Sequence, residues 1–452
     1  SNLPVFTDQP SNLPTFTTQL SELPGLRREV AGDLLPGPPS QVAGPSQAGE
    51  RTGDGMLEVE LLQQNIVLQV LDRLKLCSHR CEYTPQRPLV DIRRVIEHLE
   101  LAVRKLCLLR LRQELKAGLL PLQDQLGAPQ CLEALNLLVQ LGKKQWSQLY
   151  TVLCQLRTVD QLVNLCRHSS GSRQVVLLSL RSISSISCTV EAIRQLEEAG
   201  GIYLVTDLLT SAPSLEVRVE AAGVLAQITS PWISENHRVE GLEAALGPVV
   251  AQLSTLSRLE CDEDSFLLVS AALANLSLME PTSMKHMLLH STTRILLRRG
   301  LESPSSSVFT RDQVVTVVAA LAGSREGRQH ILQTGGVELL VDQLCASLHH
   351  LEEPAEVAAT ERVIKKSAIA LCRLCVEPEP RRILEQRGGV EQALHLVQDP
   401  AARNWSDPIL VACLALLRRI KPWLHISTHP VVLNLPLVDS FKELSTEHES
   451  YV

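Results

Sequence analysis

From about residue 157 onward the apolar positions fall at intervals of three and four, the spacing that puts them on one face of an α-helix. One short figure, two apolar residues three apart, closes each of six stretches: Ile183/Ile186, Leu225/Ile228, Leu273/Leu276, Val318/Leu321, Leu371/Leu374 and Leu414/Leu417. Counted from first member to first member, the steps are 42, 48, 45, 53 and 43 residues. A fixed period of this length marks a solenoid, in which no unit buries its own apolar face and each is completed by its neighbours. Small residues beside the figures, among them Ala221, Ala222, Ala271, Ala272, Ala319 and Ala412, allow the helices to approach closely.

Three glycine pairs precede these helices at corresponding places: Gly200-Gly201, Gly335-Gly336 and Gly388-Gly389. A glycine at positive φ can end one helix and turn sharply into the next. Paired glycines there favour the armadillo over the HEAT form of the repeat. The expected fold is therefore all-α, an armadillo-type helical-repeat superhelix over residues 157–425. Surface loops are expected in the longer steps, at Leu301 to Ser307 and Leu348 to Ala358.

Upstream, residues 56–156 keep helical periodicity without the closing figure and read as an N-terminal helical cap. Pro85 and Pro88 end its first helix, and Gly127 to Pro129 ends a long second one. Residues 1–55 carry eight prolines among Ser, Gly and Gln, too many breaks for helix and too little apolar surface for a core. A disordered segment is expected. Within it S-N-L-P-x-F-T occurs at Ser1 to Thr7 and again at Ser11 to Thr17. The anchors Leu3, Phe6, Leu13 and Phe16 suit an extended binding motif, with low-complexity drift as the alternative.

Composition sharpens this picture. Hydrophobic residues make up 44% of the 452-residue chain but aromatics only 3%, so the core is aliphatic, as suits interlocking helices. A net charge of −7 gives no broad basic stripe for neutralising phosphates, so no nucleic-acid partner is expected. No stretch reaches the length of uninterrupted apolar residues needed to cross a bilayer, and no apolar leader opens the chain, so direct membrane insertion is not expected. Twelve cysteines without framework spacing suit a reducing, cytoplasmic setting.

Catalytic patterns are missing: no phosphate-binding glycine loop, no H-E-x-x-H and no nucleophile elbow. Cys77, His79 and Cys81 could give three ligands to zinc, but a structural site needs four and no second pair stands at finger spacing. Cys372 and Cys375 fall within a repeat helix, away from any strand-to-helix turn that would activate a thiolate, and read as buried packing thiols. Neither an enzyme nor a cofactor is expected.

Two surfaces remain. The first is the groove lined by the closing helices, where the position two after the first apolar residue of each figure holds Ser185, Gln227, Asn275, Ala320, Arg373 and Leu416. An asparagine ladder there, with Trp four residues before it, marks nuclear-import adaptors; here only Asn275 fits, and none of the six places four residues earlier holds Trp. Gln227, Asn275 and Arg373 are the candidates for binding a peptide segment, solvated groove residues being the alternative. The second is the ending Ser450-Tyr451-Val452, which has the form of a PDZ ligand: a strand-adding peptide whose Val452 fills an apolar pocket and whose Ser450 hydroxyl donates a hydrogen bond. Residues 426–452 thus read as a tail.

Several stretches resemble the Inscuteable family: V-E-A-A-G-V-L-A-Q-I-T-S-P at Val219 to Pro231, L-V-S-A-A-L-A-N-L at Leu268 to Leu276, T-R-D-Q-V-V-T-V at Thr310 to Val317, P-A-E-V-A-A-T-E-R at Pro354 to Arg362, L-V-A-C-L-A-L-L-R-R at Leu410 to Arg419 and L-V-D-S-F at Leu437 to Phe441. The resemblance implies an adaptor that links a PDZ polarity scaffold of the Bazooka type to a TPR spindle-orientation protein of the Pins/LGN type, at the apical cortex of asymmetrically dividing cells. It places the PDZ contact on Ser450, Tyr451 and Val452. The family's TPR-binding element, an amphipathic helix followed by an acidic stretch, is not evident in residues 1–55; it lies upstream, is replaced by the S-N-L-P-x-F-T repeats, or is lost. A cargo or regulatory adaptor unrelated to polarity, binding a peptide in its groove, is the alternative function.

Overall fold

The computed structural model describes residues 88–420, apart from 124–127, 143–146, 170–171, 232–237, 260–261, 349–350 and 352, and all of these belong to one compact unit. The described residues are helices and their connections. Two helices open the array, α1 (Pro88–Gln123) and α2 (Ala128–Gly142). Six repeats follow, five of them with three described helices. The first comprises α3 (Ser147–Gln155), α4 (Thr158–His168) and α5 (Arg173–Ile186). The second comprises α6 (Val190–Glu198), α7 (Gly201–Ser211) and α8 (Leu215–Ile228). The third has α9 (Leu246–Arg258) and α10 (Glu263–Met279), and the fourth α11 (Pro281–Leu289), α12 (Thr292–Leu296) and α13 (Val308–Leu321). The fifth comprises α14 (Arg325–Gln333), α15 (Gly336–Leu344) and α16 (Pro354–Leu374). The sixth comprises α17 (Pro378–Gln386), α18 (Gly389–Gln398) and α19 (Asp407–Ile420).

Each apolar figure lies on the last helix of its repeat, and all twelve residues are buried. These closing helices pack on one another in order, α5 on α8, α8 on α10, α10 on α13, α13 on α16 and α16 on α19. At the start of the series α2 packs on α5, so it takes the place of a closing helix for the cap. Because α3 occupies the first-helix position of the first repeat, cap and repeats meet nearer Ser147 than residue 157. The core is a continuous seam of Leu, Val, Ile and Ala running the length of the array.

Helix starts are set locally. The side chains of Thr189, Ser214, Asp262, Ser307 and Ser324 each accept a hydrogen bond from a backbone N–H of the following first turn, satisfying a donor that has no partner within the helix. Pro281, Pro354 and Pro378 occupy first-turn positions, where a missing N–H costs nothing. In the second, fifth and sixth repeats the turn between first and second helices is built on the expected glycine, Gly200, Gly335 and Gly388 standing at φ of 67°, 72° and 71°; in the first and fourth repeats Arg157 and Ser291 hold the same left-handed place at 51° and 54°. The second member of each pair is needed for a different reason. A Cβ on Gly389 would stand 2.3 Å from Leu384 Cδ1, so the first and second helices touch only where a side chain is lacking.

Gly335 isolates the backbone effect, since a Cβ there meets nothing within 4 Å. Gly335→Ala is expected to cost about 1–2 kcal/mol from the left-handed conformation alone. The urea midpoint reads this, and a change below about 0.5 kcal/mol would mean that the turn relaxes to another shape.

Three features depart from expectation. The loop foreseen at Leu348 to Ala358 ends by Glu353, because Pro354 opens a helix of 21 residues, the longest closing helix and the main reason for the 53-residue step. Leu301, foreseen in a surface loop, is buried within the π-helical continuation Leu297–Glu302 of the fourth repeat's second helix. In the third repeat, the only described helical turn before α9 is the 3-10 turn Glu243–Ala245, where the other five repeats carry a nine-residue first helix.

Candidate functional site

The inner face of the closing helices carries both of the groove's chemical resources, amide-type donors along the seam and charges between repeats. Three seam donors are the candidates named from sequence. Gln227 Nε2 donates to the Ser187 carbonyl oxygen at 3.4 Å, Asn275 Nδ2 to the Ala226 carbonyl oxygen at 2.7 Å, and Arg373 Nη1 to the Ala319 carbonyl oxygen at 2.6 Å. Each acceptor sits at the C-terminal end of the preceding closing helix, where carbonyl groups lack partners within the helix. At three of the five seams one such side chain therefore fastens a repeat to the one before it.

The ladder position is not uniform in exposure. Asn275 and Arg373 are half-buried and Gln227 is 5% exposed. Leu416, expected to face the groove, is fully buried: α19 turns this position towards the apolar seam, beside the equally buried Leu417. Burial also holds the Arg373 guanidinium below the usual arginine range, since desolvation penalises its charge.

Charge pairs bridge the same face. Arg181 meets Glu220 at 2.6 Å and Arg173 meets Glu216 at 3.2 Å, both between α5 and α8. Between α13 and α16 the pairing is buried. Asp312, 2% exposed, takes Arg362 Nε at 2.8 Å on one oxygen and Lys366 Nζ at 2.6 Å on the other, while Lys366 also reaches Thr316 Oγ1 at 2.7 Å. Sequence reasoning passed over this cluster. Its signal was nevertheless present, because T-R-D-Q-V-V-T-V and T-E-R-V-I-K-K-S place charges among the apolar residues of two closing helices.

The thiols are enclosed. Cys372 and Cys375 lie at the end of α16, both buried, and burial pushes the Cys375 thiol up to about 12. Cys166 and Cys413 are likewise pushed up to about 12 by burial. Such thiols stay protonated and pack as small apolar groups. Among the described residues no group of three or more His, Cys, Asp or Glu is placed to hold a metal ion, and no helix is long and apolar enough to cross a membrane. The Cys77 to Cys81 stretch, the anchors Leu3, Phe6, Leu13 and Phe16, and Ser450, Tyr451 and Val452 lie outside the described residues.

Comparison with known proteins agrees with this architecture. A family model described as "Protein inscuteable C-terminal" matches residues 96–452. The "Protein inscuteable homolog" of Mus musculus is 35% identical over 300 residues, covering 65% of this chain and 52% of that protein. Its Homo sapiens counterpart is 34% identical over 304 residues, covering the same shares. The chain thus spans about half the length of the curated relatives it matches. Among solved structures, one described by "a conserved phosphorylation switch controls the interaction between cadherin and beta-catenin" aligns with a TM-score of 0.54 at 14% identity, covering 78% of this chain and 65% of that one. An engineered protein aligns with a TM-score of 0.52 at 22% identity, covering 72% of this chain and 75% of that one. At these identities the likeness is one of fold. The six stacked helical repeats, three of them turning on a glycine, are those of an armadillo array.

Proposed function

The chain belongs to the Inscuteable family, and from that premise we propose that it is a polarity adaptor joining a PDZ scaffold of the Bazooka type to a TPR spindle-orientation protein of the Pins/LGN type. Family and armadillo-type fold together support an adaptor or scaffold role, one that works by binding other proteins. The observation that carries the finer reading is the family match itself, which runs unbroken from the first described helices to Val452.

In this reading Ser450, Tyr451 and Val452 add as a strand to a PDZ domain, with the carboxylate in a backbone nest. The TPR contact falls to residues 1–55, through the Leu3, Phe6, Leu13 and Phe16 motif, or to a segment upstream of it. The array holds the two contacts on one body recruited to the apical cortex, and its groove, with Asn275 and Arg373, is left for a third partner. Such a body needs no reacting side chains, only a stable surface.

The test is a pull-down from dividing neural-progenitor lysate with three baits: the full chain, a chain lacking Ser450 to Val452, and one lacking residues 1–55. Loss of the PDZ scaffold with the first truncation and of the TPR protein with the second is the expected result. Unchanged recovery of both from either truncated bait would remove the two-ended reading and return the function to the groove.

A further inference from the structure

In the fourth repeat the π-helical stretch Leu297–Glu302 passes to α13 through Ser303-Pro304-Ser305-Ser306-Ser307, a connection that neither the groove nor the adaptor contacts use. Ser303 stands at φ −72° and ψ 124°, the extended conformation that a following proline imposes. Pro304 then turns the chain, and the Ser306 N–H donates to the Ser303 carbonyl oxygen at 3.3 Å. Glu302, Pro304 and Ser305 are exposed and Ser303 is half-buried. A serine held extended, with an exposed proline directly after it, has the form that proline-directed protein kinases accept. Ser306 Oγ is buried without a hydrogen-bond partner, so lifting this turn into a kinase active site recovers the cost of an unsatisfied hydroxyl.

The same kind of dipeptide occurs at Thr84-Pro85 and Ser230-Pro231, so by itself it carries little. The surroundings set this copy apart. Ser303 and Ser305 line a cleft of about 310 Å³ together with Arg298, Arg299, Glu263 and Phe266. A π-helix bonds residue i to residue i+5, which brings residues four and five apart over one another and so stacks Ser303 above Arg299 and Arg298. Arg299 is already held, with its guanidinium 4.1 Å from the Phe266 centroid and Nη1 donating to the carbonyl oxygens of Ser257 and Leu259. Arg298 is exposed, and among the described residues its guanidinium meets no carboxylate or carbonyl group. The serines offer these cations only two hydroxyl groups, 2.9 Å from each other.

We propose that Ser303 is a phosphorylation site for a proline-directed protein kinase, and that Arg298 and Arg299 receive the phosphate and fasten the turn to the helix before it. The γ-phosphoryl group of Mg-ATP passes to Ser303 Oγ, the hydroxyl proton goes to the kinase's catalytic base, and ADP leaves. The product carries about −1.5 to −2 charges at neutral pH and three acceptor oxygens, which form charge-assisted hydrogen bonds with guanidinium groups. Glu263 and Glu302 oppose the new charge. Glu263 is engaged by the Ser307 N–H at 2.8 Å and Glu302 is exposed to screening solvent, so the two arginines in the cleft prevail. The site shares no residue with the PDZ or TPR contacts and goes beyond the adaptor reading.

The test uses the full chain carrying Thr84→Ala and Ser230→Ala, treated with Mg-ATP and a purified cyclin-dependent kinase, mapped by mass spectrometry and titrated by ³¹P NMR. Incorporation at Ser303 is expected, with Ser303→Ala abolishing it. The second phosphate pKa should fall to about 5.5 or lower from its usual value of about 6, because a neighbouring cation favours the dianion. Arg298→Ala should raise it back towards that value. Arg294→Ala, which removes an exposed arginine outside the cleft, should leave it low, and thermal melts verify that both variants fold. A chain that the kinase does not modify at Ser303 overturns the site. A phosphate pKa of about 6 or higher, or equal effects of Arg294→Ala and Arg298→Ala, overturns its reception by the arginines.

Discussion

Asp312→Ala is expected to destabilise the array by about 3–5 kcal/mol, measured as a fall in the urea midpoint. The carboxylate is 2% exposed and its partner Arg362 is 4% exposed, so removing the acid leaves one guanidinium enclosed and takes away the anchor of Lys366. Removing one member of a buried pair costs more than the pair itself contributes, because the cation has already lost its water. The triple substitution Asp312→Leu, Arg362→Met and Lys366→Met removes the three charges that meet at Asp312 and should recover much of the loss. Its recovery separates desolvation from simple loss of contact. A single-mutant cost under about 1 kcal/mol would show that water reaches the cluster.

Phe266→Ala is the second large effect, about 3–5 kcal/mol. Among the described residues Phe266 is the largest fully buried side chain, in a mainly aliphatic core, so its removal leaves a cavity that neighbouring Leu and Val side chains fill only in part. The ring has a second role. The Arg299 guanidinium lies 4.1 Å from its centroid and donates to the carbonyl oxygens of Ser257 and Leu259, so one cation ties the fourth repeat to both helices of the third. Phe266→Leu keeps most of the volume and loses the π face; it should cost about 1–2 kcal/mol. A result as large as that for Ala would assign the effect to the ring–cation contact instead of the cavity.

The repeat architecture was legible because it is written locally. A closing figure such as Leu273/Leu276 needs only its own helix to be recognised, and Gly335 announces a left-handed turn without reference to anything distant. The first helices were less readable: Ser147–Gln155 is nine residues long with no glycine pair after it, and it merged with the cap. The groove was legible as a place and not as a set of contacts. Asn275 and Arg373 were found from their position in the repeat, but their bonds to Ala226 and Ala319 span 49 and 54 residues, and no period discloses which way a side chain turns. Asp312 and Arg362 stand 50 residues apart for the same reason. Such a charge looks misplaced in its own helix, and only the neighbouring repeat explains it.

The closing helices carry the continuity of the array: α10, in the middle of the series, packs on both α8 and α13. A row in which each helix holds only the next behaves as a chain of links, so a substitution that loosens one seam divides the array into two shorter rows instead of weakening it evenly.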